Sequence, residues 1–298
     1  STVWAAAACE KAIAPAMNQQ MWKHPETQAN LERLSGKAQI IGPNSGIQAC
    51  GDIGSGRMSE ALEIANTLEA TLNRGPLAGR RVVITAGPTH EPVDPVRYLG
   101  NRSSGKMGFA LAEAANRFGA EVTLITGPVH LDTPAGVNRI DVETASDMYA
   151  AVHSALNEVD LFIGAAAVCD MRPASVSEKK LKKSKDDLSQ ITLTENIDII
   201  HSVTTSPNRP SLVIGFAAET ELVLEHARQK LTAKSLDAII ANCVVGGEIF
   251  GQEETEATIL FSDSDQKLVP GTKSEVSQEI FATLSSRFAK RILNESQI

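Results

Sequence analysis

Cysteine is scarce in this sequence: its four cysteines lie far apart among 298 residues, and no two stand in C-x-x-C spacing. Disulfide frameworks and cysteine zinc sites need closely or regularly spaced cysteines, so this scarcity argues against both and favours a reduced, cytoplasmic protein. No apolar run approaches the roughly 20 residues of a membrane-spanning helix, so we expect no membrane partner. The apolar stretch 3–8 has no initiating methionine and no basic segment before it, which argues against a signal peptide.

Positive charge is also in short supply, because 28 lysines and arginines face 36 acidic residues and give a net charge of -8. Nucleic-acid-binding proteins usually carry a basic surface, so we expect no nucleic-acid partner. An anionic ligand must then be held by a local cluster of positive groups. The length and the composition, 42% hydrophobic and 21% charged, fit a globular protein of one large or two ordinary domains.

The most distinctive stretch is a glycine- and serine-rich loop at residues 97–108. It follows the strand-like run 81–86 and leads into apolar residues at helical spacing from Lys106 onward. The first amides of a helix and the positive end of its dipole favour phosphate or carboxylate. The loop is therefore a candidate anion site.

Three interpretations of this loop compete. Residues 100–106 fit the P-loop pattern G-x-x-x-x-G-K, but Met107 stands where a P-loop needs a hydroxyl for magnesium. The dinucleotide fingerprint G-x-G-x-x-G is absent after the preceding strand, which weakens a nicotinamide site. A purely structural helix cap explains residues 103–105, but it gives no reason for three neighbouring polar side chains, Asn101, Arg102 and Lys106.

Two domains are predicted, at 1–73 and 74–298, because the linker 73–79 pairs Gly-Pro with a further glycine before a new strand. In the second domain, apolar strands alternate with amphipathic helices, which indicates a doubly wound, Rossmann-like, mostly parallel sheet. Ligands bind such sheets at the carboxyl ends of the strands. We predict strands at 81–86, 121–125, 137–142, 160–165, 212–216 and 237–241, helices at 106–118, 145–156, 220–233 and 275–293, and a hairpin of 256–261 with 266–269.

In the first domain, residues 11–18 and 38–41 resemble short strands, and 19–22 is expected to continue the first of them. A glycine-rich flap is predicted at 48–58, before a helix at 60–72. Its Cys50 is either a plain buried residue or, between glycines and near charged groups, a chemical one, and we favour the second reading.

Five lysines fall within residues 178–185 of this acidic chain. Such a run is usually a solvated surface. Because it follows Asp170 by about one loop length, it is equally well read as a lid that brings ammonium groups onto a polyphosphate.

Six motifs stand at 14–22, 49–52, 84–89, 101–108, 180–183 and 215–220. Taken together and in this order, they resemble the bifunctional coenzyme A biosynthesis flavoproteins, in which a phosphopantothenoylcysteine decarboxylase is fused to a phosphopantothenate–cysteine ligase. The resemblance implies that 74–298 form the doubly wound ligase domain. It implies that 1–73 form the C-terminal part of a flavodoxin-like α/β decarboxylase domain.

The ligase of this family joins 4'-phosphopantothenate to L-cysteine, with CTP as the activating nucleotide and Mg2+ as the metal. The resemblance implies that Lys180 neutralises the triphosphate and that Asn101 donates its amide to the acyl-cytidylate. Asp170 is the best candidate metal ligand. The positions implied to contact the nucleotide are Gly164, Ala165, Ala166, Asp170, Lys180, Ile197, Asp198, Ile199, Ile200, Phe216, Lys230 and Lys234.

Three positions depart from the family pattern. Cys169 replaces a small alanine, Met171 replaces an aromatic residue and Ile197 replaces a proline. These substitutions change side-chain volume and backbone at the rim of the implied nucleotide site. We therefore expect them to affect nucleotide affinity and not the ligation reaction itself.

For the decarboxylase half, the resemblance implies that Asn18 holds the substrate carboxylate and that Cys50 protonates the reduced intermediate, with FMN as cofactor. No histidine precedes Asn18, and His24 follows it in a polar loop. We therefore expect an N-terminally truncated bifunctional protein that ligates but does not decarboxylate alone. The family also suggests a homodimer through the ligase domain.

Two alternatives remain open. An NAD(P)-dependent oxidoreductase could use the same fold, but it predicts the glycine fingerprint that this chain lacks. A non-catalytic partner could lend its flap, residues 50–58, to a separate flavoprotein subunit, and it would bind flavin only after mixing.

Overall fold

A computed structural model describes residues 4, 6, 11–47, 51, 53–72, 75–182, 190–219, 222–243 and 252–292. It separates into two compact units, Ser1–Asn73 and Arg74–Ile298. A search of the described residues finds no helix with the length and apolar character needed to cross a membrane.

The described residues of the first unit form two small sheets and several helices. A parallel pair joins β1 to β2, and an antiparallel hairpin joins β3 to β4. The elements are β1 (Ala12–Ile13), α1 (Gln19–Lys23), α2 (Pro25–Ser35), β2 (Gln39–Ile40), β3 (Asn44–Ile47), β4 (Ile53–Arg57) and α3 (Ala61–Leu72).

Two expectations for this unit need correction. Residues 19–22 do not continue a strand but form α1, because Asn18 caps the helix: its Oδ1 accepts a hydrogen bond from the Gln20 amide at 2.8 Å. The described end of the predicted flap is the strand β4 rather than a free loop. Cys50 lies outside the described residues.

The second unit is built on an eight-stranded sheet in the order β17-β16-β14-β13-β10-β5-β8-β9. The pairs from β14 to β9 are parallel, whereas β16 and β17 pair antiparallel at one edge. The strands are β5 (Arg81–Ala86), β6 (His90–Pro92), β7 (Tyr98–Gly100), β8 (Glu121–Thr126), β9 (Asn138–Asp141), β10 (Leu161–Gly164), β11 (Met171–Pro173), β12 (Leu193–Glu195), β13 (Leu212–Glu219), β14 (Ala238–Cys243), β15 (Glu254–Thr255), β16 (Ala257–Leu260), β17 (Asp265–Lys267) and β18 (Gly271–Thr272), and the helices are α4 (Lys106–Arg117), α5 (Ala145–Ala155), α6 (Ile199–Thr204), α7 (Val223–Ala233), α8 (Lys273–Arg287) and α9 (Ala289–Ile292).

The predicted doubly wound sheet is confirmed, and alternation of side chains explains its two covered faces. Ile84 and Ile163 pack into one cluster with residues of α4 and α8. Val83 and Phe162, one residue before each of them, pack into a second cluster with α5 and α6. Because successive side chains of a strand point to opposite faces, an unbroken apolar strand buries both.

The chain reverses direction in the sheet at β5. Helix α4 leads from β5 to β8 on one side, and α5 leads from β9 back to β10 on the other side. The two helices cover opposite faces. The carboxyl ends of β5 and β10 thus form the topological switch point, where open α/β sheets bind their ligands.

Several short elements depart from the sequence-based expectations. The predicted loop at 97–108 begins with a strand, β7, which pairs with β6. A second hairpin of β11 with β12 and the helix α6 were also not predicted. The predicted closing helix is two helices, α8 and α9. The first two residues of the predicted helix 220–233 lie outside the described residues.

Candidate active site at the carboxyl edge of the sheet

A cavity of about 720 Å³ lies over the switch point. Its floor is made by residues at the carboxyl ends of four neighbouring strands: Thr85, Gly164, Phe216 and Asn242. Its walls come from residues 101–108 on one side and from residues 195–200 and α7 on the other. This volume lies in the range of binding sites for small molecules.

The start of α4 is fixed by two glycines. Gly105 precedes the helix with φ of 75°, a conformation that favours glycine. Gly108 lies against β5 so closely that a Cβ there would be 2.4 Å from the Cβ of Ala86. The N-cap makes no side-chain hydrogen bond to the helix. The first amides of α4 are therefore available to an anion in the cavity.

Hydrogen bonds hold the loop after β10 in place. The Asn101 amide nitrogen donates to the Val168 carbonyl at 2.9 Å, and the Cys169 amide donates to Thr89 Oγ1 at 2.9 Å. Asn196 Nδ2 donates to the Cys169 carbonyl at 2.8 Å. An amide nitrogen carries two hydrogens, so Asn101 can hold this loop and donate a second hydrogen bond.

An ion pair closes one end of the cavity. Lys234 Nζ lies 2.9 Å from Asp198 Oδ2, while Asp198 Oδ1 accepts from the His201 amide and caps α6. Burial acts to raise the pKa of Asp198, but the His201 hydrogen bond and the Lys234 ammonium outweigh it and lower that pKa. Asp198 is therefore ionised at neutral pH and neutralises Lys234 in the ligand-free protein.

The opposite end contains a second charged group. Lys106 Nζ lies 2.5 Å from Glu253 Oε1. Lys273, only 8% exposed, donates to the carbonyl of Gln252. Burial lowers the pKa of Lys273, the positive charge of Lys106 lowers it further, and Glu253 opposes both. Each end of the cavity thus has two lysines and one paired carboxylate: Lys106 and Lys273 with Glu253 at this end, and Lys230 and Lys234 with Asp198 at the other.

Comparison with known proteins relates this architecture to a family. Residues 77–288 match the family model described as the DNA/pantothenate metabolism flavoprotein C-terminal domain, and residues 1–73 match the model described as flavoprotein. The coenzyme A biosynthesis bifunctional protein CoaBC of Vibrio vulnificus strain CMCP6 is 45% identical over 278 residues, covering 92% of this chain and 69% of that protein. CoaBC of Escherichia coli strain K12 is 46% identical over 280 residues, covering 93% and 69% respectively.

This chain belongs to the family of bifunctional coenzyme A biosynthesis proteins. A crystal structure of the C-terminal domain of CoaBC agrees with the second unit, with a TM-score of 0.62 and 38% identity over 72% of this chain and 99% of that one. The predicted family is confirmed, and the oxidoreductase alternative is not favoured. These matches do not support the expected truncation.

The cavity brings together most positions that resemblance to the CoaBC family assigned to the ligase. Their individual roles stay predictions. The predicted residues that line it are Asn101, Gly164, Ala165, Ala166, Asp170, Ile197, Asp198, Ile199, Ile200, Phe216, Lys230 and Lys234.

Lys180 does not line the cavity in this structure, and its side chain is exposed. Its neighbour Leu181 is anchored, because the Leu181 amide donates to Asp94 at 3.2 Å and its carbonyl accepts from Arg97 at 3.3 Å. Asn18 belongs to the first unit.

Sequence reasoning missed Lys273 and Asn242 as cavity residues. Lys273 has a usable signal, since Thr272 and Glu275 form a capping box that places it at the first position of α8. Asn242 carries no such signal. Its Oδ1 is buried without a hydrogen-bond partner in the part of the chain that the structure describes.

Proposed function

We propose that residues 74–298 ligate 4'-phosphopantothenate to L-cysteine with CTP, through an acyl-cytidylate. The observation that carries this proposal is one cavity at the switch point with a basic group at each end. Two anionic substrates must meet in this reaction, and separate positive groups reduce their mutual repulsion. Membership of the CoaBC family supports the same reaction.

The proposed chemistry has two steps. A carboxylate oxygen of phosphopantothenate attacks the α-phosphorus of CTP, a new P–O bond forms, and pyrophosphate leaves. The amine nitrogen of cysteine then attacks the acyl carbon, loses a proton and forms the amide, and CMP leaves with the electron pair of the broken C–O bond. Asn101 donates a hydrogen bond to the acyl-cytidylate. Lys180, whose exposed side chain lies outside the cavity lining in this structure, is proposed to neutralise the triphosphate.

The nucleotide is proposed to lie along the loop after β10 and the adjacent ends of α6 and α7. Gly164 packs closely against Ile200, since a Cβ at Gly164 would come within 2.6 Å of the Ile200 Cδ1, so a larger residue there would displace Ile200 from the cavity wall. Phe216 offers an apolar ring, and Lys230 and Lys234 supply positive charge. In this arrangement Asp198 releases Lys234 to the phosphates when the nucleotide binds.

A magnesium ion fits this site as a partner of the nucleotide rather than as a resident of a protein cage. No group of three or more histidine, cysteine, aspartate or glutamate side chains in the described segments could hold a metal. Mg2+ commonly binds through one carboxylate together with substrate phosphates and water. Asp170, an exposed carboxylate on the cavity wall, would be that ligand, and the ion would neutralise phosphate charge.

For residues 1–73 we propose a part in FMN-dependent decarboxylation of the ligase product. Their match to the flavoprotein family model supports this assignment. Asn18, whose carboxamide is oriented by capping α1, would hold the substrate carboxylate. Cys50 would supply the proton. An FMN absorbance band on the purified chain, with carbon dioxide release from phosphopantothenoylcysteine, would support this assignment and would overturn the expectation that the chain does not decarboxylate alone.

A cytoplasmic homodimer formed through the ligase unit is also proposed. Exposed apolar side chains on and beside the two unpredicted hairpins, among them Val96, Tyr98 and Leu193, support it. Light scattering on the purified protein tests the dimer.

The decisive experiment is pyrophosphate release with magnesium, 4'-phosphopantothenate and CTP, compared with ATP and with cysteine omitted. Lys180→Gln should slow release by about 100-fold or more, because it removes a cation that stabilises charge in the transition state. Lys290→Gln removes the same charge from an exposed residue of α9 and should leave the rate unchanged. No release from a folded sample with either nucleotide would refute the ligase and favour the partner-subunit hypothesis.

A further inference from the structure

The cavity wall formed by α4 and α8 carries charges that the proposed nucleotide site does not use. Lys106 and Lys273 are the first residues of these two helices, and both line the cavity. The helices pack together on one face of the sheet. Lys230 and Lys234 approach from α7, whose Ala227 and Leu231 pack on the other face. The two pairs of lysines therefore lie on opposite sides of the cavity floor.

Lys273 stands in an unfavourable electrostatic position without a ligand. Its side chain is nearly buried, the Lys106 ammonium lies near enough to lower its pKa, and its hydrogen bond goes to a neutral carbonyl, that of Gln252. Burying an ammonium is costly unless an opposite charge compensates it. Glu253 compensates only partly, because its 2.5 Å contact is with Lys106. A doubly negative ligand between the two lysines would remove this deficit.

Glu253 has the properties of a substitute anion. Its side chain is 76% exposed, so the pair with Lys106 is open to solvent and easily exchanged. The Lys106 hydrogen bond and charge lower the pKa of Glu253, so it stays ionised at neutral pH. An incoming phosphate would replace one carboxylate charge with a larger one.

Asn242 adds an observation that is independent of charge. Its buried Oδ1 lacks a hydrogen-bond donor within the described parts of the chain, yet the residue lines the same cavity. Such an acceptor calls for a donor. The hydroxyl and amide N–H groups of 4'-phosphopantothenate are donors, whereas its phosphate is not.

We propose that Lys106 and Lys273 form the subsite for the phosphomonoester of 4'-phosphopantothenate, and that Glu253 occupies Lys106 until this substrate binds. The proposal rests on the proposed ligase function. With the phosphomonoester on the α4 side and the triphosphate on the α7 side, the reacting carboxylate falls between them, near Asn101. The subsite thereby selects the phosphorylated substrate.

Substrate binding measured by calorimetry tests the subsite without requiring turnover. Lys106→Met and Lys273→Met should each weaken binding of 4'-phosphopantothenate about 10- to 100-fold, the loss expected for one charge-assisted contact. Binding of unphosphorylated pantothenate should change less than twofold. Glu253→Gln should tighten binding of the phosphorylated compound about two- to fivefold, because it removes a competing anion. Lys290→Met is the matched control.

Steady-state kinetics separate this proposal from its rivals. KM for phosphopantothenate should rise in both lysine variants while KM for CTP stays within twofold. A rise in KM for CTP instead would assign the lysines to the triphosphate or to pyrophosphate and overturn the subsite. Unchanged binding of both pantothenate forms would also overturn it.

Two controls keep the outcomes distinct. Lys273 is nearly buried, so thermal unfolding is measured for both lysine variants. If Lys273→Met is unstable, the binding measured for Lys106→Met, at a half-buried site, decides whether the subsite exists. A wild-type protein that binds phosphopantothenate but releases no pyrophosphate would refute the ligase proposal while calorimetry still tests the subsite.

Discussion

The contact between α4 and β5 sets the position of the candidate anion site, and replacing Gly108 with alanine tests it. Gly108 is buried in the first turn of α4. An added Cβ would lie 2.4 Å from the Cβ of Ala86, 3.1 Å from its Cα and 3.3 Å from the Thr85 carbonyl oxygen. All three atoms belong to β5, a central strand that cannot move aside without disturbing its neighbours. The helix must therefore shift away from the sheet.

Two opposing effects determine how much Gly108→Ala changes the free energy of unfolding. Overpacking a core costs about 1–3 kcal/mol, and a contact of 2.4 Å with a central strand places Gly108→Ala near the upper end. Alanine in place of glycine inside a helix stabilises the folded state by about 1 kcal/mol. The net loss of unfolding free energy should be about 2 kcal/mol, which lowers the melting temperature by about 4–8 °C in a domain of this size.

A double-mutant cycle in urea supplies the assay and its control. Ala86→Gly removes the methyl group that the new Cβ would strike, so Gly108→Ala should cost little in that background. The expected coupling between the two substitutions is about 1–2 kcal/mol. If Gly108→Ala lowers stability by the same amount in both backgrounds, or raises it in the wild type, the argument from close packing is wrong.

The remaining predictions concern helix ends that face the cavity. Asp198→Asn keeps the cap on α6 but loses the ion pair with Lys234, so it should cost about 0.2–1 kcal/mol at pH 7. Because the folded pKa of Asp198 is lowered, this stabilisation exists above the unfolded pKa and disappears as pH falls through the folded one; a cost that persists in acid, measured by urea unfolding, would contradict it. Thr272→Ala breaks the capping box with Glu275 and should cost about 1 kcal/mol, whereas Thr272→Ser should be nearly neutral, and equal losses from both would argue against capping.

The alternation of apolar strands and amphipathic helices in the second unit is a local property, which explains why the parallel sheet could be predicted. Strand β10 is buried and apolar, and β5 is buried from Val82 to Ala86 and apolar there except for Thr85; such runs are visible in sequence. The predicted start of α4 at Lys106 also agrees with the structure.

The short hairpins could not be predicted in the same way. β6 has the sequence His-Glu-Pro and β11 has Met-Arg-Pro, and neither shows apolar alternation. Their pairing with β7 and β12 is decided by partners elsewhere in the chain. In the first unit, the apolar content of 19–22 suggested a strand, but the cap from Asn18 made it a helix.

The sequence by itself determined the fold class, the family and most residues on the side of the cavity proposed to bind the nucleotide, because these depend on local periodicity and on motifs of adjacent residues. Only the tertiary structure showed which residues form the opposite side of the cavity. Lys106 and Lys273 are separated by most of the second unit, and local sequence places each at the start of its helix without relating one helix to the other. They line one cavity because α4 and α8 pack together on the same face of the sheet, and no pattern within either segment contains that contact.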